Sequence, residues 1–360
     1  MNVVIRTDAS FEIGTGHVMR CITLAKQLVH EGAEVLFICR SFYGNSISFI
    51  QSQGFHVHTL LSDKNKKHLQ WTRDNWEKDS EETKLILGSL NKKIDLLIVD
   101  HYGLDIKWES KFCSVVNYIM VIDDLANRVH NCDLLLDQNY YFNMNNRYKG
   151  LVPEYCTLML GPSYVLLRDE FLSIDPQKIK RDDSINNILI FFGGTDPTGE
   201  TLKTLKVIQK PNFSHIEFNV VVGEANPKKE EIKEICTKIK NSIYHCQTNN
   251  MAELMLKADL AISAGGATTW ERCFLGLPSL IIIVAENQED VTNVVVEKGA
   301  AYCLGNSIEV TDTIICKEIN SLCDQNNGRI IEMVGNCWEI INPNIVKMKL
   351  VTRNIMRLMK

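Results

Sequence analysis

The sequence predicts an α/β chain of two doubly wound domains, each built on a parallel sheet. Three observations lead there. Apolar runs of the kind buried on both faces recur along the chain, as at Ile94–Asp100 and Leu260–Ile262. Amphipathic helical stretches separate them. The order strand, glycine turn, helix opens the chain and opens its second half again at Asn187. A length of 360 residues suits two domains. The expected boundaries are 1–178 and 185–340, with a C-terminal helix in 341–360 crossing back to the first domain.

Asn2-Val3-Val4-Ile5 reads as a short buried strand. Val18, Ile22, Ala25, Leu28 and Val29 fall on one helical face, so Gly14-Thr15-Gly16 is the turn between them. Strands follow at 34–38 and 56–58, with a helix over 46–53 between them. Charged 63–82, with Trp71 and Trp76, reads as a solvated helical stretch. Ile94–Asp100 and Tyr118–Ile122 are strands ending in acids, Asp100 and then Asp123-Asp124, and Leu134–Leu136 is a shorter one. The stretch 137–183 is less periodic, and its charged end, 175–183, is the expected hinge.

Asn187–Phe192 restarts the pattern, with Gly193-Gly194-Thr195-Asp196 as its turn. Strands are expected at 218–222, near 243, at 260–262 and at 280–284. A helix is expected at 251–257, and Ser263–Thr269 is a second glycine turn leading into a helix from Trp270. The remainder reads as mostly helical, ending with Ile345–Leu358.

Apolar residues make up 45% of the chain, and the mean hydropathy is near zero, as in a soluble globular protein. A net charge of −5 argues against a broad nucleic-acid or membrane footprint. The N-terminus enters a strand directly, without a secretory signal, so a cytoplasmic protein is expected. The 12 cysteines are scattered with no C-x-x-C pair and read as reduced core residues.

His17 stands at a helix N-terminus, at the carboxyl edge of the expected sheet. Open α/β sheets bind ligands at that edge, and helix N-termini favour anions. The turn lacks the third glycine of a dinucleotide fingerprint and the Lys-Ser/Thr of a P-loop. A histidine there suggests proton transfer beside a phosphate-bearing ligand.

Six motifs in order carry a resemblance. They are Gly14-x-Gly16-His17-x-x-Arg20, Asp100-His101-Tyr102-Gly103, Ile122-Asp123-Asp124, Leu166-Leu167-Arg168-x-Glu170-Phe171, Gly193-Gly194-x-Asp196 and Asn287-Gln288. With Ser263-Ala264-Gly265-Gly266-Ala267-Thr268-Thr269-Trp270-Glu271, they make residues 1–305 resemble the PseG-type UDP-sugar hydrolases of pseudaminic acid synthesis. Those enzymes belong to the MurG-like branch of the GT-B fold. The resemblance implies two Rossmann-like domains facing across a central cleft. It implies hydrolysis of UDP-2,4-diacetamido-2,4,6-trideoxy-β-L-altropyranose by water attack at the anomeric carbon, with inversion, no metal and no cofactor. Its one partner is the UDP-sugar, without nucleic acid or membrane, and a monomer is expected.

His17 is then the general base, since a helix N-terminus disfavours imidazolium. Asp8 either orients His17 or the water, or pairs with Arg6 or Arg20. Tyr102, Gly16, Asn287 and Gln288 are expected on the sugar, although Tyr102 also suits packing under a loop. Gly14, Arg168, Gly193, Gly194, Ser263, Gly265, Gly266, Thr268 and Glu271 are expected on UDP. Gly265 and Gly266 would offer backbone N–H groups to the diphosphate, Ser263 and Thr268 hydroxyls, and Glu271 a carboxylate to both ribose hydroxyls. Arg168 pairs with phosphate or with Glu170, and an acidic first turn at Glu271 is also ordinary dipole pairing. Two other readings stay open. One is a GT-B glycosyltransferase or a hydrolase of another UDP-sugar. The other is a nucleotide-sugar-binding or spore-coat assembly protein without turnover.

Overall fold

In the computed structural model, which describes residues 1–62, 67–323 and 328–359, the chain forms two compact units. One is Met1–Leu166 with Met348–Lys360, and the other is Leu167–Lys347. The division falls at Leu166, ahead of the charged stretch 175–183.

The first unit holds strands β1 (Asn2–Thr7), β2 (Glu34–Arg40), β3 (His56–Leu60), β4 (Ile94–Asp100), β5 (Val116–Ile122), β6 (Leu134–Asp137) and β7 (Thr157–Leu160). They pair in parallel in the order β3-β2-β1-β4-β5-β6-β7. The second unit holds β8 (Asn187–Phe191), β9 (Glu217–Val222), β10 (Ser242–Cys246), β11 (Leu260–Ala264), β12 (Ser279–Ile283) and β13 (Ala301–Asn306), in the order β10-β9-β8-β11-β12-β13. Each sheet therefore reverses its winding once, between β1 and β4 and between β8 and β11. The loops leaving those strands open a crevice at their carboxyl ends, the ligand position of doubly wound sheets.

Both faces of the first sheet are covered, which is why its strands are continuously apolar. Val18, Leu24 and Leu28 of the helix Gly16–His30 pack on Ile5 and Ile98. Val351 and Ile355 of the helix Leu350–Leu358 join the same core, and Thr352 Oγ1 donates to Gln27 Oε1 at 2.8 Å. Trp108, Phe112 and Leu87 cover the other face.

Three sequence expectations are corrected. β7 forms in the stretch read as less periodic, and β13 in the part read as mostly helical. Both lie at sheet edges; β7 is short, and β13 carries Gly305 in a left-handed conformation beside a register shift. The helix expected over 345–358 breaks at Lys349, whose φ is +50°. The stretch 63–82 is not a solvated helix, so far as it is described (63–66 lie outside the described residues). Its helices His68–Asp74 and Trp76–Ser89 bury Trp71, Thr72 and Asp79. Asp79 accepts from Arg6 Nη2 at 2.8 Å, Arg40 Nη2 at 2.7 Å and Trp108 Nε1 at 3.0 Å. A buried carboxylate costs several kcal/mol unless paired, and here two guanidiniums pair it. All 12 cysteines are free thiols. Among the described residues no helix is long and apolar enough to cross a membrane.

Candidate active site

In the first unit, β1 ends at Thr7, which pairs in register with Asp100 at the end of β4. The chain then turns through Gly14, whose φ of +73° demands glycine, and enters the helix at Gly16. His17 and Arg20 are three residues apart, so both point to the same side. That side faces Asp100.

His17 Nδ1 lies 2.5 Å from Asp100 Oδ1. Arg20 clamps the same carboxylate with Nε on Oδ2 at 2.6 Å and Nη2 on Oδ1 at 2.7 Å. Burial alone would raise the Asp100 carboxyl. The Arg20 guanidinium and His17 beside it instead hold it well below the usual carboxylate range. An ionised carboxylate only accepts, so the neutral imidazole that faces it donates Nδ1–H and carries its lone pair on Nε2. The Tyr102 ring stands edge-on to the imidazole, with centroids 4.3 Å apart. Its hydroxyl donates to Asp124 Oδ1 at 2.7 Å, and Arg20 Nη1 reaches Asp124 Oδ2 at 2.8 Å. Burial, then Asp124, push the Tyr102 phenol up, so it stays a donor.

Asp100, Arg20 and Asp124 therefore join His17 and Tyr102, though none of the three was assigned from sequence. The signal was present in the acidic ends of two strands and in the spacing of His17 and Arg20.

Asp8 is elsewhere. It accepts from Arg6 Nη1 at 2.7 Å and from the Arg40 backbone N–H at 2.6 Å, so the ion-pair alternative describes it and not the orientation of His17. Its Oδ2 lies 3.2 Å from His101 Nε2 and 3.4 Å from His68 Nε2. Among the described residues this trio alone is close enough to hold a metal ion. His101 argues against that use. The Gly103 N–H donates to its Nδ1 at 2.8 Å, which puts the ring proton on Nε2, the atom a metal would need. Ligating histidines instead donate their second N–H outward. Gly14 is corrected too, because its N–H is spent on Ser10 O at 2.9 Å and is not open to UDP. Gly16 begins the helix, and a Cβ there would meet nothing within 4 Å.

The second unit repeats the arrangement. Gly193 (φ +86°) and Gly194 follow β8, and a Cβ on Gly223 would lie 2.3 Å from Gly194 O, so two turns touch backbone to backbone. Asp196 caps the next helix, accepting from the backbone N–H groups of Glu200 and Thr201 at 2.9 Å each.

After β11, Gly265 is tied down. Its N–H donates to Gln288 Oε1 at 3.2 Å, and a Cβ would strike Thr292 Oγ1 at 2.3 Å. It is a packing glycine and not an open donor. Gln288 braces this loop, also accepting from Val284 N–H at 3.3 Å, so its amide oxygen is not reserved for a sugar. Gly266 differs. Its φ is ordinary and a Cβ there would meet no atom closer than 3.8 Å, so neither strain nor packing asks for glycine. Ser263 is buried within β11 with its hydroxyl 3.5 Å from Ala264 O, and it offers nothing at the loop surface. Thr268 is half-buried and accepts from Arg272 Nη1 at 3.1 Å. Asn287 is exposed in the turn Glu286–Gln288.

Glu271 and Arg168 face each other. Arg168 Nε and Nη2 donate to the two carboxylate oxygens at 2.9 and 3.1 Å, and Nη1 pairs with Glu170 at 2.5 Å. Arg168 is thus engaged by two acids where a phosphate was expected.

The comparisons agree with the geometry at the level of fold. Residues 188–330 match the glycosyltransferase family 28 C-terminal domain. The chain is similar to the UDP-2,4-diacetamido-2,4,6-trideoxy-beta-L-altropyranose hydrolase of Campylobacter jejuni, at 26% identity over 83% of this chain and 97% of that one. It is similar to the spore coat polysaccharide biosynthesis protein SpsG of Bacillus subtilis, at 27% identity over 89% of each. An uncharacterized protein of Methanocaldococcus jannaschii is 28% identical over 81% of this chain, which spans only 57% of that protein. The crystal structure of Acinetobacter baumannii MurG superposes with a TM-score of 0.68, at 14% identity over 99% of both chains. The fold is GT-B, and the resemblance to PseG-type hydrolases drawn from the ordered motifs is borne out.

Proposed function

We propose that this chain processes a UDP-sugar, and that it does so by hydrolysis. His17 Nε2 takes a proton from water as the water oxygen attacks the anomeric carbon. The bond between that carbon and the diphosphate oxygen breaks, and its electron pair leaves with UDP. A diphosphate is already a weak base, so the demanding step is delivery of water, which a positioned base accelerates by about 10²–10⁴. Attack from the face opposite the leaving group inverts the anomeric centre. The substrate of the Campylobacter jejuni relative, UDP-2,4-diacetamido-2,4,6-trideoxy-β-L-altropyranose, is the proposed substrate.

The observation that carries this reading is the His17–Asp100 contact at the reversal point of the first sheet, which orients the ring and makes Nε2 the lone-pair nitrogen of its neutral form. In the second unit, the loop at Gly266 and Thr268 is proposed to hold the diphosphate. Glu271, its plane fixed by Arg168, is proposed to accept the ribose hydroxyls. Tyr102, edge-on to His17, is proposed to face the sugar ring. No metal or cofactor enters the scheme. A transferase is the second reading, favoured by the family 28 domain over 188–330.

The test is to incubate wild type and His17→Asn with the UDP-sugar, with and without candidate acceptors. Wild type should release UDP into water alone, and His17→Asn should lose turnover by about 10²-fold or more while still binding UDP. Turnover of His17→Asn near the wild-type rate would remove the base. Release that requires an acceptor would favour transfer.

A further inference from the structure

The loop at Gly266 is underlain by a charge that the proposed scheme does not use. Arg272 is 1% exposed, one turn into the helix that follows this loop. Its Nη1 donates to Thr268 Oγ1 at 3.1 Å, and its Nη2 donates to Thr269 Oγ1 at 3.0 Å and Ala264 O at 3.3 Å. The guanidinium therefore lies against the inner side of the turn 264–269. Its Nε is buried with no hydrogen-bond acceptor.

Among the described residues Arg272 forms no ion pair. The neighbouring carboxylate, Glu271, is committed to Arg168. Burial pulls the Arg272 guanidinium down to about 10, so it remains charged at neutral pH. Other buried guanidiniums here, Arg6 and Arg40, sit on carboxylates. A buried cation without a counter-charge costs free energy, and that cost falls when an anion arrives nearby.

We propose that Arg272 is a positioning residue for a diphosphate bound at this loop, acting through Thr268. This rests on the UDP-site reading given above. A guanidinium only donates, so the Thr268 oxygen must accept from it. That contact uses a lone pair of the hydroxyl and turns its O–H away from the guanidinium. The half-buried hydroxyl becomes a fixed donor at the loop surface, polarised by the positive charge behind it. The ligand chemistry this suits is a nucleoside diphosphate or another diphosphate, with charge on the phosphates balanced by Arg272.

Calorimetric titration of UDP, uridine and inorganic pyrophosphate into the full chain tests this. Variants are Arg272→Met, which keeps length without charge, Arg272→Lys, which keeps charge without the fork, and Thr268→Val. Arg272→Met should weaken UDP and pyrophosphate by about tenfold or more, the scale of one charge-assisted hydrogen bond. Uridine binding should stay as in wild type. Thr268→Val should reproduce the loss, and combining the two should add little. Arg272→Lys should restore part of it. A purely structural arginine would weaken uridine and UDP together, and an unchanged UDP-to-uridine ratio in Arg272→Met overturns the proposal. If Arg272→Met does not fold, Thr268→Val decides, loss of the UDP preference supporting the proposal and an unchanged preference overturning it. Wild type that binds pyrophosphate but not UDP would retire the nucleotide reading and leave the anion subsite standing. Wild type that binds neither overturns both.

Discussion

Replacing Asp100 by Asn keeps the shape beside His17 and removes the charge. An amide can present its own N–H to Nδ1, which moves the ring proton to Nε2 and takes away the lone pair the water needs. Asp100→Asn is expected to lower kcat by about 10²–10⁴ while UDP affinity, read by calorimetry, holds. A kcat within a few-fold of wild type would show that the 2.5 Å contact does not set the tautomer. His17 itself was legible, because a histidine at the mouth of a glycine turn is a local pattern. Its partner was legible only as an acid at the end of a strand, not as a neighbour of His17. Asp100 is 83 residues away and reaches His17 only because β4 pairs directly with β1, a choice of strand order that no local pattern encodes. The role expected for Asp8 failed for a related reason. Its nearness in sequence suggested His17, but Arg6 and the Arg40 backbone claim it within the sheet.

At the scale of elements, strand ends carry the polar load. β6 finishes at Asp137, where Tyr148 donates to Oδ2 at 3.0 Å and Arg147 approaches at 3.3 Å. Burial, then the Asp124 charge, push this carboxyl up to about 7. An unfolded Asp titrates near about 3.9, so the folded state keeps a proton that the unfolded chain releases. The resulting stabilisation is full below the unfolded value and is lost as pH rises through about 7. Thermal melts of wild type and Asp137→Asn between pH 5 and 8 should therefore converge or cross as pH rises, with the wild type losing more. Parallel curves would contradict the raised carboxyl. Asp100, held low by Arg20, loses its contribution only in acid and does not enter that window. The charged run 63–82 was misread at this same scale. Charge predicts solvation until a partner is known, and the partners of Asp79, Arg6 and Arg40, come from two separate strands. The edge strand β7 was missed because four residues carry little periodicity, and β13 because Gly305 interrupts its apolar run.

For the whole molecule, two sheets wound in the same order place two glycine turns each at a reversal point, His17 and Asp100 in one unit and Gly266 and Thr268 in the other. That repetition was readable from the sequence, since strand, turn and helix recur with the same apolar rhythm in both halves. The fold follows from it, and the chemistry follows from a few side chains that the loops carry. An anomer-resolved NMR time course of wild type with UDP-2,4-diacetamido-2,4,6-trideoxy-β-L-altropyranose in isotopically labelled water follows the proposed water attack itself. With water attacking carbon from the far face, the inverted anomer of the free sugar should appear first, carrying the label at its anomeric oxygen, with UDP unlabelled. First appearance of the retained anomer, or label found on UDP, would contradict it.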